Sequence, residues 1–126
     1  MSAERQHLGI VGEDLAAAAL GRRGYVILER RYRTGRGEID IVAEDGQTLV
    51  FVEVRARASA EFGRAAESVT DGKRRRVVRM AAEYLLERRI ANRPCRFDVV
   101  AVDSALSAAP EITVYPNAFE AGELIW

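Results

Sequence analysis

The run Gly37-Glu38-Ile39-Asp40-Ile41-Val42-Ala43 sets a carboxylate inside an apolar stretch, and Leu49-Val50-Phe51-Val52-Glu53-Val54-Arg55 sets a second near the end of the next. Burying a carboxylate among Ile, Val and Phe costs several kcal/mol unless positive charge is bound there. Two such acids on neighbouring strands therefore point to a divalent-metal site and to phosphate chemistry. Magnesium and manganese suit such a pair: they are hard cations that take oxygen ligands at about 2.0–2.2 Å and keep several waters. An ion of this kind binds a phosphate oxygen, activates a water and neutralises charge on the leaving oxygen. Arg55, on the same strand as Glu53, would hold the scissile phosphate or stabilise its transition state.

Whether Asp40 meets Glu53 depends on register. A two-residue turn at Asp45-Gly46 sets Asp40 opposite Phe51 and diagonal to Glu53, about 7–8 Å between backbones. A four-residue loop pairs the two acids directly, and a three-residue loop without a bulge puts them on opposite faces. The turn chemistry of Asp-Gly favours the first. By strand alternation Asp40 is expected to share a face with Glu38 and Val42, and Glu53 with Phe51 and Arg55.

The elements that must position these residues read as follows. A helix is expected from about Leu8 to Arg23, stopped by Gly24 where a left-handed residue is wanted. Tyr25–Leu28 is a short strand and Arg33–Arg36 a turn. Glu38–Glu44 and Thr48–Arg55 form the hairpin. Residues 56–69 read as a loop with a helical turn. Thr70-Asp71-Gly72 caps a helix that runs to about Arg89 with Val77, Val78, Ala81, Tyr84 and Leu85 inward. Strands follow at Phe97–Val102 and Ile112–Tyr115, and Pro116 leads into a tail. The order describes an α/β fold, a mixed central sheet flanked by helices.

The 126 residues, 48% of them apolar and 30% charged, are expected to form one globular domain with its core between about residues 8 and 119. No apolar run approaches the ~18 residues of a membrane span. The N-terminus lacks a signal-peptide layout, and the only cysteine, Cys95, excludes a disulfide framework or thiolate cluster. The expected compartment is the cytoplasm, with no membrane partner. The formal net charge is zero, yet Arg22, Arg23, Arg30, Arg31, Arg33 and Arg36 share one window with a single acid, and Lys73, Arg74, Arg75, Arg76 and Arg79 share another with none. Two basic patches can thus flank an acidic centre, with Arg31, Arg33, Arg36, Lys73, Arg74 and Arg76 as candidate contacts to a nucleic-acid backbone.

An acid, a hairpin and then Glu-x-Arg resembles the PD-(D/E)xK pattern of the restriction-endonuclease-like nucleases. The extended string GEIDIVAEDGQTLVFVEVRAR, with Gly21-Arg22-Arg23-Gly24-Tyr25 ahead and RFDVVAV behind, resembles the bacterial YraN family of that superfamily. The likeness runs from about Gly9 to Phe119 and includes Phe62-Gly63, Lys73, Ala82-Glu83-Tyr84-Leu85 and Asn117-Ala118-Phe119. It implies a restriction-endonuclease-like αβββαβ core and metal ligation by Asp40 and Glu53, with the Val54 carbonyl as third ligand. The first-helix acid of the pattern falls on Glu13, which shares a helix side with the small residues Gly9, Ala16 and Ala17.

Two positions depart from that pattern. The lysine is replaced by Arg55, which clamps phosphate but cannot give up its proton; Lys73 could lean in instead. Arg31 stands where the family tends to have Asn. The implied activity is magnesium- or manganese-dependent cleavage of DNA, at branched or distorted structures since no recognition helix is legible, with a homodimer left open. The rivals are a nucleic-acid-binding module of the same fold that has lost activity through Arg55, and a scaffold for a larger complex. Asp98 reads as a structural acid bonded to nearby backbone or to Arg96, Cys95 as a small buried residue, Tyr84 as helix core, Glu38 as the lead-in to its strand and His7 as part of a frayed terminus.

Overall fold

A computed structural model of the chain describes residues 2–59, 65 and 70–120. The elements are α1 (Ala3–Arg22), β1 (Val26–Thr34), β2 (Gly37–Asp45), β3 (Thr48–Ala56), α2 (Asp71–Glu87), β4 (Cys95–Asp103) and β5 (Glu111–Phe119). The strands form one sheet in the order β1-β2-β3-β4-β5. Only β3 and β4 run parallel, joined through α2; the other neighbours are antiparallel. The αβββαβ order inferred from the sequence is present, with β5 added at the edge. The expected loop over residues 56–69, with Phe62-Gly63, lies largely outside the described residues.

Among the described residues each face of the sheet carries one α-helix and one core. Ala16 and Leu20 of α1 pack with Tyr25, Ile41, Ala43, Val50, Val52, Val100 and Val102. Val77, Val78, Met80, Ala81 and Tyr84 of α2 pack with Tyr32, Ile39, Val42, Leu49, Phe51, Phe97 and Phe119 on the other face. Val50 and Val52 alternate with Leu49 and Phe51 because successive strand side chains point to opposite faces.

Local chemistry explains the boundaries. The Ser2 hydroxyl accepts from the Arg5 amide and starts α1 earlier than expected, so His7 lies within the helix rather than in a frayed end. Gly24 follows the helix at φ +91°, the left-handed conformation glycine adopts without a Cβ clash. Thr70 caps α2, its hydroxyl accepting from the Lys73 amide. The β2–β3 turn is two residues long but falls on Gly46-Gln47, one step later than Asp45-Gly46: Asp45 pairs with Thr48, and Gly46 at φ +60° takes the first central position.

Two strands extend further than expected. β1 continues through Glu29–Thr34 to a turn at Gly35-Arg36. Pro116 sits inside β5, where an edge position spares it the ladder bond it cannot donate. There β5 bulges: Val99 pairs with Tyr115 but Phe97 with Phe119, and Asn117 takes φ +53°. Asp98, fully buried, fastens the bulge by accepting from the Asn117 amide at 2.9 Å, and also accepts from the Tyr25 hydroxyl and from Arg96 Nε.

Candidate metal and phosphate site

β2 and β3 pair from Asp45/Thr48 to Ile41/Val52, and there the ladder stops. Continuing that register by one step brings Asp40 directly across from Glu53, the arrangement of the longer-loop alternative rather than the diagonal one. Beyond this point β3 keeps its pairing with β4 while β2 keeps its pairing with β1. A notch opens between the central strands, and both acids stand in it.

The notch has a local cause. Ile39 and Val42 both pack under α2, whereas Ile41 and Ala43 face α1. A regular strand cannot place positions three apart on one face, so the alternation slips at Asp40, and Asp40 does not simply share a face with Glu38 and Val42 as expected. The neighbouring strand keeps its register at this level, Arg30 pairing with Ile41 and Tyr32 with Ile39, but Arg31 between them holds φ 56°; the β1–β2 register shifts further along, between Ile27 and Glu29. Asparagine tolerates that left-handed conformation better than arginine does.

Separation of β2 from β3 deprives Val54 of a ladder partner, and the Asp40 carboxylate takes its place, accepting from the Val54 amide at 2.7 Å. The Val54 group seen in use is thus its N–H, donated to Asp40. Asp40 and Glu53 are in hydrogen-bonding contact with each other. Glu53 is buried and Asp40 half-buried. Both are pushed above the ordinary carboxylate range: burial is the largest cause for each, and for Glu53 the charge of Asp40 comes next. Arg55 opposes this, its guanidinium reaching Glu53 Oε1 at 2.8 Å. Arg55 Nε is itself buried without a hydrogen-bond partner among the described residues.

Two touching carboxylates that resist ionisation, beside an arginine with an unsatisfied N–H, fit a divalent oxygen-seeking cation and an anion next to it. Glu13 does not complete the set. It is buried on α1 near enough to raise Asp40, but Oε1 accepts from Arg30 Nε at 2.7 Å and Oε2 from Arg31 Nε at 3.0 Å. Among the described residues no three His, Cys, Asp or Glu side chains form a group that could hold a metal; the donor set is the Asp40–Glu53 pair. Glu13 reaches this position because α1 lies close on β3. The residue that permits it is Gly12, where a Cβ would fall 2.6 Å from that of Ala56, and not Gly9, which has open space.

The two basic windows differ. Arg31 is held by Glu13, Arg33 by Glu38 at 3.2 Å and Arg36 by Glu83 at 2.8 Å, so the first window is largely neutralised within the fold. In α2, Arg74 lies over the Phe119 ring and 3.8 Å from Asp71. Lys73 is half-buried and its ammonium is lowered by burial and then by Arg55, with Arg57 and Arg76 adding to the effect. Arg76 packs beside Gly37, and with Arg75 and Arg79 it is exposed, with no ion pair to a described residue. Arg57 is a contributor the sequence did not single out, and Arg30, counted there only within the first basic window, is a residue that holds Glu13.

Residues set aside on sequence grounds also find places. Tyr84 is buried with its ring edge-on to Tyr32 and Phe51. Cys95 is exposed, not buried as expected, because it opens β4 at the sheet's end; its thiol is pushed up by desolvation, which does not favour a nucleophile. An apolar cleft of about 400 Å³ between α2 and the β4–β5 pair is lined by Phe51, Leu85, Phe97 and Phe119 and by none of Asp40, Glu53 or Arg55.

A mixed sheet with one helix on each face and an acidic pair where its central strands part defines an α/β protein built around a candidate cation site. Comparison with known proteins supplies the family. Residues 12–102 match the model of the uncharacterised protein family UPF0102. The chain is 55% identical over 102 residues to a UPF0102 protein of Moorella thermoacetica, covering 81% of this chain and 85% of that one. It is 43% identical over 120 residues to a UPF0102 protein of Geobacter metallireducens, covering 95% and 98%. The chain belongs to the UPF0102 family, which is the YraN family inferred from its motifs. No helix among the described residues is long and apolar enough to cross a membrane.

Proposed function

We propose that this chain hydrolyses DNA phosphodiester bonds with the help of magnesium or manganese, selects branched or distorted DNA, and works in the cytoplasm. The observation that carries the reading is the contact of Asp40 with Glu53 in the notch between β2 and β3, with Arg55 one residue beyond Val54. Asp40 and Glu53 would hold the cation, and Val54 keeps Asp40 aimed. When bound, the ion supplies positive charge at the scissile phosphate and makes a water more acidic. Arg55 offers its fork to the phosphate oxygens and keeps its charge throughout. Lys73, whose ammonium is weakened by burial and by Arg55, is the group here able to give up or return a proton. Preference for DNA shape over base sequence is supported by both helices lying on the sheet faces, with neither projecting as a reading helix.

The ion pair between Arg55 and Glu53 favours a second reading, a DNA-binding module without turnover, because it occupies a carboxylate oxygen the cation needs. One assay separates the two. Purified protein is incubated with forked, four-way-junction and linear duplex DNA in magnesium, manganese or EDTA. Cleavage that needs the metal and disappears in Asp40→Ala and Glu53→Ala supports the nuclease. Binding without cleavage in wild type and variants alike supports the module, and absence of both overturns the proposal.

A further inference from the structure

We propose that Arg55 couples phosphate binding to metal binding: in the free protein it occupies Glu53, and an incoming phosphodiester draws it off and releases that carboxylate to the cation. The inference rests on reading Asp40 and Glu53 as a metal-holding pair. Its basis is the state of the guanidinium. One arm reaches Glu53 Oε1 at 2.8 Å while Nε is buried with no partner among the described residues, so Glu53 satisfies Arg55 only in part. A phosphodiester presents two anionic oxygens that match the planar fork and would satisfy Nε and an arm together. Glu53 is matched as poorly: its side chain is 10% exposed beside a second carboxylate, and its ion pair with one arm of Arg55, even with the more weakly acting charge of Lys73, leaves it raised.

Each group thus has a better partner outside the protein, and the two exchanges assist one another. Glu53 and Arg55 lie two apart on one strand, so a rotation of the arginine side chain breaks the contact and β3 need not move. Thermodynamic reciprocity then requires DNA to tighten the metal as much as the metal tightens DNA.

Manganese affinity, read from the paramagnetic signal of the free ion, tests this with full-length protein in the cold. The probes are a forked DNA oligonucleotide and the same fork with neutral methylphosphonate linkages. In wild type the charged fork should tighten manganese about 5-fold or more, and the neutral fork should not. In Arg55→Gln manganese alone should bind more tightly than in wild type, and the gain from DNA should shrink several-fold. Arg55→Lys, which keeps a cation at the position, should keep part of that gain. Manganese that binds wild type but ignores the fork overturns the coupling alone, as does an undiminished gain in Arg55→Gln. Manganese that binds neither protein, with or without DNA, removes the metal pair and the coupling together.

Discussion

The carboxylate of Asp40 accepts the Val54 amide at 2.7 Å, so β2 is pinned to β3 by a side chain at the level where their backbones part. The acid thereby serves as a substitute for a missing rung and lies against Glu53 while doing so. Its orientation is set by the sheet rather than by a loop, the condition under which a site is held to within fractions of an ångström.

The acidic pair should weigh on stability as pH rises. Folded-state values of both groups lie above the ordinary 3.8 and 4.5, so the folded chain binds more protons than the unfolded chain from about pH 4 upward. Stability contributed by this pair is therefore full below that range and declines as pH rises through the raised values. Metal-free Glu53→Gln should be more stable than wild type at pH 8, by on the order of 1 kcal/mol, the worth of one pKa unit. The gap should close towards pH 4. Manganese should raise the melting temperature of wild type and leave the variant unmoved. Melting curves across pH, with and without manganese, measure all three.

Gly12→Ala should destabilise the fold. The substitution gains about 1 kcal/mol of helix propensity, but its Cβ would stand 2.6 Å from that of Ala56. Overpacking of that kind costs about 1–3 kcal/mol, and the clash wins. Urea midpoints should fall, and combining it with Ala56→Gly should recover most of the loss. A midpoint equal to wild type for the single variant would refute the close approach of α1 to β3.

Asp98→Ala should be among the most damaging single changes. It removes a fully buried acceptor that serves the Tyr25 hydroxyl at 2.8 Å, Arg96 Nε at 2.9 Å and the Asn117 amide at 2.9 Å. Arg96 keeps Asp45 at 3.0 Å, but the Tyr25 hydroxyl and the Asn117 amide lose their acceptor, at about 1–3 kcal/mol for each stranded donor. The Tyr25 hydroxyl, pushed up to about 12 by burial and then by Asp98, should titrate lower in the variant. Denaturant unfolding and ultraviolet titration of tyrosine check the two parts.

The two arginine windows should behave differently towards DNA. Ala at Arg75, Arg76 or Arg79 should weaken binding and lower the salt slope by about one per removed contact. Ala at Arg33 or Arg36 should change both less, because Glu38 and Glu83 already take those charges. Affinity measured over a series of salt concentrations compares the sets; equal slopes for both would reject this division.

Much of this was legible beforehand, for reasons that differ from place to place. The β2–β3 hairpin could be read because Ile, Val and Phe alternate around a glycine turn, and that glycine misplaced the turn by only one residue. β1 was shortened because Arg30 and Arg31 look like solvated charge, whereas they answer Glu13 on α1. Pro116 looked like a terminator because its exemption depends on the strand lying at an edge, which no local pattern states. The two acids could be named from sequence. The slip at Asp40 could not, since it arises where β2 leaves β3 and stays with β1, a parting that no local pattern states.

Arg31 on β1 and Asn117 on β5 hold φ 56° and 53°, one on each outer strand of the five. Both borders of the sheet are thus interrupted part-way along. A stray peptide seeking to add itself as a sixth ribbon finds no straight row of amides and carbonyls to copy, so these two residues guard the fold against edge-to-edge aggregation.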